Sequence, residues 1–68
     1  MPFNNNLENL RVRHGMTQQQ LAEKLGVTQG VISNYESGLK VPTLLTGIKI
    51  ARIFGITTEE LIEGDVKA

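Results

Sequence analysis

The chain has 68 residues, enough for one compact domain, and folding at this size removes only about 60% of the unfolded chain's surface from water. Because it has no cysteine and a single histidine, a disulfide framework and a thiolate metal site are excluded. No charged leader precedes an apolar run, and no segment approaches the roughly 20 apolar residues that span a bilayer. We therefore expect a cytoplasmic domain with no membrane contact, no metal, no cofactor and no small-molecule ligand.

The formal net charge is zero, but the charges are unevenly placed. The first 58 residues carry six basic and three acidic side chains, whereas the last ten carry four acidic side chains and one basic side chain. A mildly basic body with an acidic end is compatible with a surface that faces a nucleic acid, although ordinary solvated surfaces would give the same pattern.

Five apolar segments each end at a glycine, as helices do when they close with a left-handed residue. These glycines are Gly15, Gly26, Gly38, Gly55 and Gly64. The pattern predicts an all-α domain of five short helices over residues 1–64, followed by a short tail at 65–68. No run of residues alternates cleanly between apolar and polar, so strands are not expected.

The first predicted helix runs from about Asn5 to His14, and Asn5 with Glu8 three residues later resembles a capping box. The second helix begins at Thr17, where Gln20 supplies the partner of another capping box. Its apolar stripe consists of Leu21, Ala22 and Leu25.

Only Gly26 and Val27 separate the second helix from Thr28, where the third begins, and this spacing predicts the sharp corner of a helix-turn-helix. The fourth helix opens at or just after Pro42. Its apolar residues are Leu45, Ile48, Ile50, Ala51, Ile53 and Phe54.

The fifth predicted helix begins at Thr57, whose partner Glu60 completes a third capping box. The helix carries two apolar residues, Leu61 and Ile62.

The third helix divides into two faces when it is projected at about 100° per residue. The face expected to point inward contains Thr28, Val31, Ile32, Tyr35 and Glu36. The outward face is uncharged and contains Gln29, Gly30, Ser33, Asn34 and Ser37. Amides and hydroxyls of this kind suit hydrogen bonding to base edges. Serine and asparagine also occur near the ends of short helices, where they bond to the backbone, so both interpretations remain open at this point.

The segment MTQQQLAEKLGVTQGVISNYESGLKVP, with its continuation LTGIKIARIFGITTEEL, resembles the Cro/cI-type or XRE family of helix-turn-helix proteins. The resemblance spans roughly residues 5–64. It rests on the patterns Q-x-x-L-A-x-x-x-G, I-S-x-x-E-x-G and I-A-x-x-x-G-I. The family contains phage repressors and small bacterial transcription regulators. It implies a third helix that lies in the DNA major groove and, usually, a dimer on a palindromic operator.

The resemblance also implies roles for individual residues. Base contacts would fall to Gln29, Gly30, Ser33 and Asn34. Phosphate contacts would fall to Gln18, Thr28 and Lys40, with Arg13 as a further basic candidate. Arg11 and Glu36 match positions that often form a buried ion pair, and such a pair would remove the cost of an unpaired inward carboxylate.

Gly30 departs from the family, which commonly presents a side chain at this position. Gly30 either reads no base or allows the helix to approach the groove more closely. We expect the former, because a glycine inside a helix is first of all a local defect.

The dimer surface would come from the end of the fourth helix, the fifth helix and the tail. The apolar candidates are Phe54, Ile56, Ile62 and Val66, although the core of so small a domain could equally claim Phe54 and Ile62.

Two other classes of function compete with DNA recognition. A protein-interaction module, such as an antitoxin-like regulator, would not need the uncharged outward face of the third helix. An enzyme is disfavoured because neither a nucleophile with its base nor a carboxylate pair is present, and His14 fits better as a residue at a helix C-terminus. The sequence therefore predicts a homodimeric repressor that reads a palindromic operator in double-stranded DNA.

Overall fold

The computed structural model describes residues 3–63, with side chains from Asn6 onward. Its elements are α1 (Phe3–Arg13), α2 (Gln18–Leu25), α3 (Gln29–Ser37), α4 (Leu44–Phe54) and α5 (Thr58–Glu63). No strand occurs within this range, and the predicted all-α fold of five helices is confirmed. No helix in the same range is both long enough and apolar enough to cross a membrane. The predicted tail, with Gly64 and Val66, lies outside the described residues.

Short-range capping sets where three of the helices begin. The Thr17 hydroxyl accepts from the Gln20 backbone N–H, and the Gln20 side chain accepts from the Thr17 N–H, so the predicted capping box of α2 is confirmed. Thr57 and Glu60 form the same reciprocal pair at α5. Before α4 the capping residue is Thr43, which directly follows Pro42.

Two of the predicted details are wrong. The helix α1 begins at Phe3, so Asn5 lies inside it and cannot form a capping box with Glu8. Leu45, one of the apolar residues of the α4 pattern, does not join the core, since it is 73% exposed. The residues of α4 that face inward are Ile50, Ala51 and Phe54.

Each helix contributes one large, fully buried side chain to a single core. These are Leu7, Leu21, Ile32, Ile50 and Leu61, in chain order. Burying a leucine or isoleucine completely contributes about 1.5–3 kcal/mol. The helix α3 packs against α1 and α2, while α5 packs against α1 and α4.

A tight corner between α2 and α3 presents α3 to solvent. Gly26 adopts a left-handed conformation with φ of 79°, as a helix C-cap glycine does. The N–H groups of Gly26 and Val27 both donate to the Ala22 carbonyl, at 2.8 and 3.0 Å. The Ala22 side chain is fully buried.

A buried amide on α1 holds the last turn of α5. Asn6 is buried, and its Nδ2 donates to the carbonyls of Leu61 at 3.0 Å and Ile62 at 3.3 Å. These C-terminal carbonyls have no partner within their own helix. Because α5 has six residues, too few for an isolated helix to be stable in water, it depends on such contacts.

Candidate nucleic-acid interface

The outer face of α3 is polar and uncharged. The side chains of Gln29, Ser33 and Ser37 are exposed, and that of Asn34 is half-buried. On the opposite face, Ile32 and Tyr35 are buried in the core, as the helical projection indicated. The structure therefore presents amides and hydroxyls on one side of a helix that is anchored by its other side.

Thr28 differs from its predicted place. It was expected on the inward face, but it is exposed at the N-cap of α3, with φ of −81° and ψ of 159°. Its hydroxyl makes no capping hydrogen bond. Thr28 therefore lies on the same exposed end of α3 as Gln29.

A buried ion pair joins α1 to α3. Arg11 Nε donates to Glu36 Oε2 at 2.7 Å, and Arg11 Nη2 donates to Glu36 Oε1 at 3.0 Å. The two side chains are only 12% and 5% exposed, so the bidentate pair is largely shielded from water. A third bond, from Arg11 Nη1 to the Met16 carbonyl at 2.9 Å, ties the loop before α2 to the same guanidinium.

The hydrogen bond to Glu36 is the main cause that raises the pKa of Arg11 above its ordinary value. A raised pKa in the folded state contributes stability below the unfolded-state pKa, and this stability is lost only as the pH rises past the folded-state pKa. Because arginine already titrates at very high pH, this contribution is not lost as the pH rises through the ordinary range.

Gln18 connects the ion pair to the surface of α3. Its Nε2 donates to Glu36 Oε1 at 3.0 Å, and its Oε1 accepts from Gln29 Nε2 at 3.4 Å. The sequence indicated only a phosphate role for Gln18 and missed both of these bonds. Gln29 and Glu36 are seven positions apart and therefore lie on one side of α3, but the sequence does not show that Gln18 of α2 meets them there.

The loop after α3 is pinned to the end of that helix. The Asn34 carbonyl accepts from the N–H groups of Leu39 at 3.0 Å and Lys40 at 3.2 Å. The Lys40 side chain is exposed beside the C-terminus of α3. Arg13, the other basic candidate, is exposed in the last turn of α1.

The three apolar candidates for the dimer surface within the described residues differ in how exposed they are. Phe54 is only 6% exposed and belongs to the core, Ile56 is half-buried, and Ile62 is 59% exposed. Ile62 borders a groove of about 170 Å³ between α5 and the start of α4. The groove lies beside Gly47, where an added Cβ would meet no atom within 4 Å.

Gly30 lies within α3, and an added Cβ would meet only Thr28 Oγ1, at an ordinary contact distance of 3.8 Å. We expect Gly30→Ala to raise the free energy of unfolding by about 0.5–1 kcal/mol, because alanine restricts the unfolded chain and favours the helix. Urea unfolding followed by circular dichroism measures this. Gly47→Ala, in the interior of α4, is the matched control and should give a similar gain. A less stable Gly30→Ala protein would contradict the expectation.

Comparisons with known proteins agree with this arrangement. A family model described as helix-turn-helix matches residues 7–61. The HTH-type transcriptional activator BcrR of Enterococcus faecalis is 40% identical over 65 residues, which cover 96% of this chain but only 32% of BcrR. An HTH-type transcriptional regulator of Methanocaldococcus jannaschii is 40% identical over 57 residues, which cover 84% of this chain and 86% of that protein.

A solved structure has the same fold. The P22 c2 repressor protein in complex with a synthetic operator matches with a TM-score of 0.88 over 96% of this chain and 98% of its own, at 18% identity. At that identity the likeness shows the fold alone. The family match over residues 7–61 and the 40% identical relative from Methanocaldococcus jannaschii show that this chain belongs to the Cro/cI-type (XRE) helix-turn-helix family of DNA-binding transcription regulators.

Proposed function

We propose that the protein acts as a homodimeric repressor, which reads a palindromic operator by placing α3 in the DNA major groove. The observation that carries this proposal is the uncharged outer face of α3, held in place by the buried pair of Arg11 and Glu36. An exposed helix that serves only solubility would carry charges, as α2 does at Glu23 and Lys24. Binding to the chromosome would place the protein in the cytoplasm.

The chemistry of this face suits base edges. The amides of Gln29 and Asn34 can each donate one hydrogen bond and accept another, which matches the major-groove edge of adenine. The hydroxyl of Ser33 can do either. Gly30 offers no side chain, so we assign it a position in the contact but no role in reading a base.

Phosphate contacts would flank these base contacts. The exposed Thr28 hydroxyl and the Lys40 ammonium lie at opposite ends of α3, where the two phosphate backbones border the groove. The side-chain NH2 group of Gln18 has a second N–H, beyond the one bonded to Glu36, which can donate to a phosphate. Arg13 can reach a phosphate from the end of α1. So few cations give weak binding by one copy, and each phosphate contact weakens as the salt concentration rises.

Size supports the proposal of a dimer. The longest extent of the backbone is 28 Å, which is less than the roughly 34 Å between half-sites one helical turn apart. One copy therefore covers one half-site. We propose that two copies meet through the groove beside Gly47, where Ile62 and Leu44 are exposed, and that Phe54 supports this surface from inside the core.

The area available for the dimer is small. The exposed apolar residues that line the groove are Val41, Leu44 and Ile62, and we expect three side chains from each copy to bury less than the roughly 1,200–2,000 Å² of a stable interface. The free protein would therefore associate weakly and pair fully only on the operator. We favour repression over activation because occupying a promoter needs no further protein contact.

Selection from a random DNA pool tests this function. We expect the wild-type protein to enrich a palindromic sequence, and Gln29→Ala to lose the preference at one base pair in each half-site, with about 1–3 kcal/mol less discrimination there. Gln19→Ala, an exposed glutamine on α2, is the matched control and should enrich the wild-type sequence. Equal, weak binding of palindromic and scrambled duplexes at modest salt would contradict the proposal.

A second candidate function is that of a protein-interaction module. It is favoured by a group of exposed apolar side chains around the start of α4, some of which the proposed dimer would leave uncovered. They are Leu39, Val41, Leu44, Leu45 and Ile62. This candidate gains if the selection enriches no sequence.

A further inference from the structure

The side of α4 that faces away from the core carries one exposed leucine and two exposed cations. They are Leu45, Lys49 and Arg52, which are spaced four and three positions apart and therefore lie along one side of the helix. The buried residues of α4 lie on its other side. We call these three exposed side chains the outer face of α4. The face extends over roughly 10 Å of the helix axis.

The two cations of this face are not neutralised by the described part of the chain. Neither Lys49 nor Arg52 forms an ion pair or a side-chain hydrogen bond with a described residue. The sequence contains no acidic residue between Glu36 and Glu59, so no carboxylate occurs one turn away on α4. By contrast, α2 carries both Glu23 and its neighbouring lysine. The outer face of α4 therefore presents an uncompensated positive charge.

The contacts proposed above leave this face uncovered. The base and phosphate contacts involve α1, α2, α3 and the loop after α3. The groove proposed for the dimer lies beside Gly47, which is two positions after Leu45 and therefore about 200° around the helix from it. The helix α4 packs against α2 and α5. An exposed leucine beside two unpaired cations is thus left without an assigned role.

We propose that the outer face of α4 docks an acidic, amphipathic helix of another protein. The partner offers carboxylates to Lys49 and Arg52 and an apolar gap to Leu45. Arg52 can hold a carboxylate through two parallel N–H bonds, while Lys49 acts as a compact point charge. Two turns of a partner helix match the roughly 10 Å length of the face. The inference does not rest on the proposed function, because no residue of the face is assigned to DNA.

Other occupants fit this face less well. DNA phosphates would pair with the two cations, but they would place the Leu45 side chain against a charged backbone. A membrane surface accepts helices that bury a broad apolar face, whereas α4 turns Ile50, Ala51 and Phe54 into the core. The outer face therefore offers a membrane only one exposed apolar side chain. A protein helix can carry carboxylates and an apolar gap at matching positions.

Selection from a library of displayed helical peptides tests the charge of the partner. Acidic, basic, polar and apolar residues are allowed at the outward positions, and the full wild-type chain is the target. We expect the enriched peptides to combine Asp or Glu with leucine or alanine along one side of the helix. The peptide that binds best is then synthesised, and fluorescence anisotropy measures its affinity for the wild-type protein and for the variants below.

Two charge-reversal variants locate the binding site. Lys49→Glu/Arg52→Glu should lower the affinity for the selected peptide at least about tenfold, because it places like charges opposite each other. Arg13→Glu/Lys24→Glu makes the same change in net charge on α1 and α2 and is the matched control. This control should lower the affinity less than about threefold. Circular dichroism checks that both variants fold.

A third variant separates docking from attraction between charges alone. Leu45→Ser should lower the affinity at least about fivefold, because a leucine is no longer buried against the partner. Leu39→Ser is the matched control, since Leu39 is 77% exposed in the loop after α3 and Leu45 is 73% exposed on α4. This control should leave the affinity within about twofold of the wild-type value.

Several results would overturn the inference while leaving the proposed function in place. They are a selection that enriches no peptide or only peptides without acidic residues, equal losses in the two charge-reversal variants, and an unchanged affinity in Leu45→Ser. Scrambled duplex DNA and phosphatidylglycerol vesicles are titrated in parallel. If Lys49→Glu/Arg52→Glu loses affinity for either of these but not for the peptide, the two cations serve phosphate groups and the inference is wrong.

Discussion

Glu36→Ala is expected to lower the free energy of unfolding by about 3 kcal/mol, at the lower end of the range for breaking a buried ion pair. The Arg11 side chain is only 12% exposed in the wild-type protein, and the substitution removes its carboxylate partner. The bond from Arg11 to the Met16 carbonyl remains and moderates the loss. For a domain of this size the melting temperature should fall by roughly 12–24 °C.

Thermal and urea unfolding followed by circular dichroism measure this effect. Glu23→Ala is the matched control, because Glu23 is exposed on α2 and its removal should change stability by less than about 0.5 kcal/mol. The double variant Arg11→Met/Glu36→Leu removes both charges and should recover most of the lost stability. An unchanged melting temperature in Glu36→Ala would show that the pair is not needed for folding.

The spacing of the two half-sites should change the affinity for DNA. The change in binding free energy should be similar in size to the change in unfolding free energy expected for Glu36→Ala. A duplex with two half-sites centred one helical turn apart is expected to bind about 100-fold more tightly than a duplex with one half-site. The backbone extends at most 28 Å, so a single copy cannot span both half-sites, and the gain must come from a second copy. Moving one half-site by five base pairs places the two on opposite faces of the duplex and should abolish the gain.

Gel-shift titration at fixed salt measures the gain in affinity of the paired half-sites over the single one. Sedimentation of the complex counts the protein copies on each duplex. Ile62→Ser should reduce the gain if the groove beside Gly47 forms the contact. Val12→Ser is the matched control, since Val12 is as exposed as Ile62 but lies at the end of α1. Equal affinity for single and paired half-sites would contradict a dimeric mode of binding.

Features of this fold that depend on neighbouring residues could be predicted from the sequence. Capping boxes at Thr17 and Thr57 join residues three apart, and the left-handed Gly26 ends α2 within one turn. The apolar stripe of α2 is regular enough to identify its buried face.

Features set by distant contacts could not be predicted. Leu45 is exposed although it belongs to the apolar pattern of α4, because that pattern alone does not show which apolar residues meet the other helices. The partners of Gln18 come from both ends of α3 and depend on the angle at the corner. Asn6 has no motif, because its partners are backbone carbonyls at the other end of the chain.

The bond from Asn6 to the Leu61 carbonyl spans 55 positions and has a consequence for synthesis on the ribosome. The chain is made from the N-terminus, so α1, α2 and α3 emerge before α5 exists. Until residues 61 and 62 have left the exit tunnel, α1 cannot pack against α5, and Asn6 cannot make its bonds to the Leu61 and Ile62 carbonyls. The helix α3 is thus complete in sequence well before α5, and we expect the domain to close only once α5 has been translated.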